Sequence, residues 1–203
     1  MEREGWPALT PVALDYLPAV RGFFDRQYAA HDRYWWRGPN RYSTQPADHT
    51  AFNAAWLVAA ARRGPGRALD LGAGEGADSI RLARLGYQVD AIDASAVACE
   101  KAERFARAEG VDVTVRCEPI ETTSLTGTYD IVLMNGCLHY IRDKRGVLTR
   151  AAAASVADAV HVVALFSTAT PVPAEHSHPG FAPHAHSHIK LVAARQPERT
   201  QAG

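Results

Sequence analysis

Cysteine is scarce in this chain, with three among 203 residues. Cys99, Cys117 and Cys137 show no metal-ligand spacing, so neither a zinc-finger pattern nor a disulfide-stapled scaffold is indicated, and reduced thiols in a cytoplasmic setting are expected. The N-terminus (Met1-Glu2-Arg3-Glu4-Gly5-Trp6-Pro7) lacks the apolar stretch of a secretion signal. Nowhere does an apolar run approach membrane-spanning length, so no membrane partner is expected. An excess of either charge is also missing. Lys plus Arg and Asp plus Glu each total 22, and the isoelectric point is near 7.1. Without a basic face, no nucleic-acid partner is expected. No internal repeat is visible. What remains is chain enough for one α/β domain with a substantial core, and too little for two.

From residue 67 onward, apolar strands alternate with amphipathic helices. The pattern predicts strands at 67–71, 87–92, 111–116, 129–135, 159–166 and 189–194. Helices are predicted at 76–86, 95–109 and near 143–155, the second opening on Ser95 as N-cap and stopping at Gly110. Strands alternating with helices predict a mostly parallel, doubly wound sheet. Upstream, two short helices are expected within about 11–30, and an amphipathic helix at 51–63 is stopped by Gly64-Pro65-Gly66. The chain thus divides into an N-terminal helical and aromatic extension, 1–50, and a ligand-binding domain, 51–203.

The most informative stretch is Asp70-Leu71-Gly72-Ala73-Gly74-Glu75-Gly76, at the end of the first predicted strand. Its glycines let the backbone turn with no Cβ in the way, so a ligand can lie against the main chain. The amides and dipole of the helix that follows favour electron-rich groups there. A second strand ends in Asp93, where a carboxylate can grip the two hydroxyls of a ribose. These features mark a nucleoside-cofactor site. Gly72-x-Gly74-x-x-Ala77 also fits a dinucleotide fingerprint, which would make the protein an NAD(P)-dependent oxidoreductase. Asp70 argues otherwise, because a carboxylate aimed into the turn repels a pyrophosphate and attracts a cation.

Here the chain resembles the class I S-adenosylmethionine (SAM)-dependent methyltransferases, whose first motif is D/E-x-G-x-G-x-G. The resemblance implies a Rossmann-like fold and SAM as cofactor. It implies cofactor contacts from Asp70, Gly72, Ala73, Gly74, Gly76, Asp93 and Ala94. Glu118, Pro119 and Ile120 occupy the place near the adenine, with Asn135 and Gly136 at the carboxyl end of the fourth strand. His139, just beyond, is the candidate base for deprotonating an acceptor, and a buried structural imidazole is the competing reading. The run Asn135-Gly136-Cys137-Leu138 is not the Asn/Asp-Pro-Pro-aromatic sequence of DNA and amino-group methylases. A small-molecule acceptor with an S, O, N or chalcogen nucleophile is therefore expected. A SAM-fold protein that binds the cofactor without transferring methyl is the alternative.

Two segments lie outside that frame. Tyr34-Trp35-Trp36-Arg37-Gly38-Pro39-Asn40-Arg41-Tyr42 crowds aromatics and arginines around a Gly-Pro turn. It reads either as an extension packed on the core or as a lid over cofactor and acceptor, formed by Tyr34, Trp35, Trp36, Arg37, Asn40 and Tyr42. Trp36-x-Gly-Pro-Asn-Arg-Tyr42 is similar to a segment of the tellurite-resistance and thiopurine-like small-molecule methyltransferases. Near the other end, His176, His178, His184, His186 and His188 sit among Pro171, Pro173, Pro179 and Pro183. In so proline-broken a segment a preformed ligand geometry is not expected, so they are expected to form a loop and no metal site. Residues 167–188 are too few for the helix and strand usual there. The sheet is therefore expected to be shortened at its C-terminal end, leaving one side of the acceptor pocket open for a partner chain or a second copy of this chain to complete.

Overall fold

The computed structural model describes residues 16–34, 48–173 and 185–194. Six strands form one sheet: β1 (Arg67–Leu71), β2 (Gln88–Asp93), β3 (Val113–Cys117), β4 (Tyr129–Asn135), β5 (Ser155–Pro173) and β6 (Ala185–Ala194), in the order β3-β2-β1-β4-β5-β6. The first five are parallel, and β6 runs antiparallel to β5. Strand order reverses between β1 and β4. The carboxyl ends on either side of that point enclose the crevice where open α/β sheets bind ligands.

The helices are α1 (Tyr16–Ala30), α2 (Asp48–Arg63), α3 (Ala77–Arg84), α4 (Ala96–Ala108) and α5 (Lys144–Ala153), with a 3-10 turn at Leu138–Tyr140. They cover both faces of the sheet, which is why central strands are apolar on both sides. On β4, Val132 and Met134 join Leu69, Leu71, Val147 and Ala151 on one face. Ile131 and Leu133 join Trp56, Ala60, Ala68 and Leu82 on the other. By the same alternation Asp70 shares the face of Ala68, toward α3. Among the described residues no helix is long and apolar enough to cross a membrane.

Most predicted elements end within one or two residues of their observed limits. Three differ more. Two short helices are expected within 11–30; residues 11–15 lie outside the described residues, and 16–30 form one continuous helix, α1, with Pro18 in its first turn, where a missing N–H costs nothing. Helix α2 starts at Asp48, ahead of the expected 51. Strand β5 runs to Pro173 and β6 begins at Ala185, so much of the expected loop 167–188 is strand. The two pair in register from Val160↔Ala194 to Ser167↔Ser187, then through a register shift to Pro173↔Ala185. The backbone ladder reaches Ser167 and resumes at Val172, on either side of a stretch that residue pattern alone reads as loop. His186 and His188 lie on β6, whereas His176, His178 and His184 lie outside the described residues. β6 forms one edge of the sheet, with Ile189 and Leu191 exposed.

Candidate active site

Gly72, Gly74 and Gly76 all take positive φ, turning the chain from β1 into α3. The turn is tied to the tip of β2. Gly72 N–H and Ala73 N–H both donate to the Ile92 carbonyl, at 2.8 and 3.1 Å. Gly74 N–H donates to Asp93 Oδ2 at 2.8 Å, and Ser95 N–H to Asp93 Oδ1 at 2.9 Å. A Cβ on Gly72 would sit 2.4 Å from Cys137 Cβ, so the turn also abuts the loop after β4.

Asp70 is 2 % exposed and accepts a hydrogen bond from Ser79 Oγ at 2.6 Å. Burial, then the charge of Asp78, push its carboxyl up to about 7 against the Ser79 hydrogen bond. Burial likewise raises Asp93 above the usual carboxylate range, opposed by its backbone donors. Among the described residues neither acid has a cationic partner within ion-pair distance, whereas Asp78 is paired with Arg81. A negative, desolvated crevice results.

The other expected cofactor residues gather at the same edge. Ala94 follows Asp93, half-buried. Asn135 Nδ2 donates to Asp78 Oδ2 at 2.8 Å, and exposed Gly136 has φ 83°. Ile120 is buried in the cluster of Leu71 and Cys137, with Pro119 half-buried before it. Glu118 is held 2.6 Å from Arg116 in an ion pair, an engagement its sequence position did not suggest. The Cys137 thiol is pushed well up by burial and by Asp70 and Asp93, and so stays protonated. His139 lies in the 3-10 turn with its ring 4.0 Å from that of Tyr140, and both ring nitrogens are buried.

Helix α1 supplies a wall that the sequence pattern did not reveal. Phe24 meets Tyr140 edge to face at 5.4 Å and stacks on Tyr28 at 5.8 Å, and Tyr28 meets Tyr34 at 5.9 Å. An aromatic row thus runs from the loop after β4 along α1 to Tyr34. Trp35, Trp36, Arg37, Asn40 and Tyr42 lie outside the described residues. Glu75 and Lys101 were missed as well. Their signal was available: an acid between two glycines, and a lysine on the apolar face that Ala98, Ala102 and Phe105 define on α4.

A mostly parallel sheet reversing between β1 and β4, with a glycine turn between two strand-end acids, has the Rossmann-like architecture of the class I SAM-dependent methyltransferase fold. Residues 68–159 match the family described as Methyltransferase domain. Among curated proteins, the chain is 35% identical over 86 residues to the tRNA 5-carboxymethoxyuridine methyltransferase of Escherichia coli (strain K12), covering 40% of this chain and 33% of that protein. It is 33% identical over 122 residues to the ubiquinone biosynthesis O-methyltransferase of Burkholderia ambifaria (strain MC40-6), covering 58% and 51%. The chain thus spans between a third and a half of the length of these relatives. Among solved structures, the magnesium protoporphyrin IX methyltransferase of Synechocystis PCC 6803 with bound SAM superposes with a TM-score of 0.62 at 18% identity, covering 92% of this chain and 100% of that one. That likeness is one of fold.

Proposed function

We propose that the protein is a cytoplasmic methyltransferase that uses SAM to methylate a small, planar acceptor, with residues 1–50 a lid extension and 51–203 the SAM-binding methyltransferase domain. The observation that carries this reading is the aromatic row Phe24–Tyr28–Tyr34 with Tyr140 beside His139, next to the glycine turn. Ring faces and edges of that kind hold a planar molecule by stacking and exclude water around it.

The donor set fits the cofactor. Asp70 and Asp93 supply uncompensated carboxylates suited to a cationic nucleoside. Each oxygen of Asp93 accepts one backbone N–H and keeps a lone pair, so a ribose diol can still be held. When bound, SAM supplies a methyl group already activated by its sulfonium. The chain's own work is then to orient the acceptor, exclude water and receive a proton where the acceptor needs one. Phe24 and Tyr140 orient the acceptor, and Tyr28, itself buried, backs Phe24. Burial and the nearby Glu75 charge raise Tyr34 above the usual phenol range, so it keeps its hydroxyl proton. His139 accepts the proton of a hydroxyl acceptor.

The test is product mass with isotope-labelled methyl on SAM, offered to a panel of phenols, heteroaromatic amines and thiols. Label should appear in a planar phenol or heteroaromatic. His139→Ala should cut kcat for a hydroxyl acceptor by roughly 10² or more, leaving affinity for S-adenosylhomocysteine within about threefold. Label transferred to none of these acceptors refutes the reading.

A further inference from the structure

Glu75 sits in the glycine turn, yet its side chain is fully buried and paired with Lys101 of α4. Lys101, itself buried, also donates to the Tyr28 carbonyl at 2.8 Å and the His31 carbonyl at 2.5 Å. The three donors of its ammonium thus have three acceptors: the cofactor turn and two backbone positions at the end of α1. Tyr34 N–H donates to Glu75 Oε1 at 3.1 Å, closing the circuit from the other side. Two of the carbonyls that a helix C-terminus leaves without partners are satisfied by this one cation. The segment is further seated by Asp25 against Ser95 Oγ and by the Arg33 guanidinium over the Phe105 ring at 4.5 Å.

A buried ion pair is weak evidence for stability, since its desolvation offsets most of its Coulomb gain. What this one fixes is relative position. On one side stands the turn that receives the cofactor. On the other stands the stretch of α1 and its following turn that carries Tyr28 and Tyr34, and through Tyr28 the Phe24–Tyr140 contact. We infer that Glu75 and Lys101 are positioning residues for the acceptor, a buried coupling that holds the aromatic wall in register with the cofactor turn. This rests on the reading of that wall as the acceptor side.

The test uses the full chain with Lys101→Met and with the charge-neutral double variant Glu75→Gln/Lys101→Met, which leaves no unpaired buried charge to unfold it. Amide hydrogen exchange is followed with saturating S-adenosylhomocysteine. In the double variant, amides of 28–34 should exchange at least tenfold faster and those of β2 at the wild-type rate. S-adenosylhomocysteine affinity should stay within threefold, while kcat/KM for whichever panel acceptor the wild type methylates falls at least tenfold, chiefly through KM. Unchanged protection at 28–34, an unchanged kcat/KM, or a cofactor-product affinity that falls as far as kcat/KM would each overturn the inference. Failure of the underlying reading shows differently: the wild type itself then methylates no small acceptor, while the exchange result stands independently.

Discussion

At Asp70 the protein holds a carboxyl whose ionisation is out of step with its ordinary value, and the sign of the consequence follows. Its folded pKa, about 7, lies above the ordinary carboxyl value of 3.8. Between those values the unfolded chain gives up the proton and the folded chain keeps it, so Asp70 erodes stability as pH rises from about 4 to about 7. A cation seated beside Asp70 reverses the preference and expels the proton. SAM binding near pH 6 should therefore release protons, measurable by calorimetry in buffers of different ionisation enthalpy. Affinity should fall about tenfold per unit as pH drops below 7, and Asp70→Asn should remove the Asp70 contribution to this dependence. An affinity that is flat from pH 5.5 to 8 in the wild type would refute the linkage. Asp70 and Asp93 were legible as strand-end acids because the glycine spacing fixed the turn and the turn fixed the strand tips. Less legible was how each acid is already occupied. Asp93 caps Gly74 and Ser95 with both oxygens, and Glu118 is paired with Arg116. Such bonds depend on side-chain rotamers across neighbouring strands, which spacing along the chain does not encode.

At the scale of elements, the turn between β1 and α3 is held by two separate constraints, and alanine substitutions resolve them. Gly110 ends α4 with φ 67° and open space where a Cβ would be. Gly72 has nearly the same φ, 73°, but its Cβ would meet Cys137 at 2.4 Å. Gly110→Ala should cost only the left-handed backbone penalty, about 1–2 kcal/mol. Gly72→Ala should add an overpacking cost of roughly 1–3 kcal/mol and weaken cofactor-product binding, which Gly110→Ala should leave alone. Urea unfolding of the two variants measures the difference, and equal losses would mean that the loop after β4 yields freely. The glycines, the strands and the Ser95 cap, whose Oγ accepts Ala98 N–H at 3.1 Å, all follow from local rules. The long β5–β6 ladder does not. Ser167, Thr168 and Thr170 carry no apolar alternation, and β5 continues across them because β6 pairs with it on either side of a register shift, at Ser167 and again at Val172 and Pro173. Nor does the placement of α1: its amphipathic face could be read, but that it brings Phe24 to Tyr140 is a property of the assembled fold.

For the whole molecule, the balance of 22 basic against 22 acidic residues bears on which acceptor it serves. One relative bears the name of a tRNA methyltransferase and another that of an O-methyltransferase of ubiquinone biosynthesis, so the matched sequence alone does not separate a polyanion from a small ring. Charge does. A protein that neutralises several phosphates gains affinity from counterion release and loses about 10³ or more of it between 50 and 200 mM salt. On the reading proposed above, a chain of zero formal net charge whose described crevice edge carries Asp70 and Asp93 disfavours a phosphate backbone there. Methyl transfer to the favoured planar acceptor should accordingly change less than about twofold over that salt range. Bulk tRNA at 150 mM salt should neither compete with it nor take up label. Labelled tRNA, or turnover that collapses steeply with salt, would transfer the aromatic wall from a stacked small ring to a splayed base. His139 would then face a nucleobase substituent, with the same contacts from Phe24 and Tyr140 serving the other acceptor.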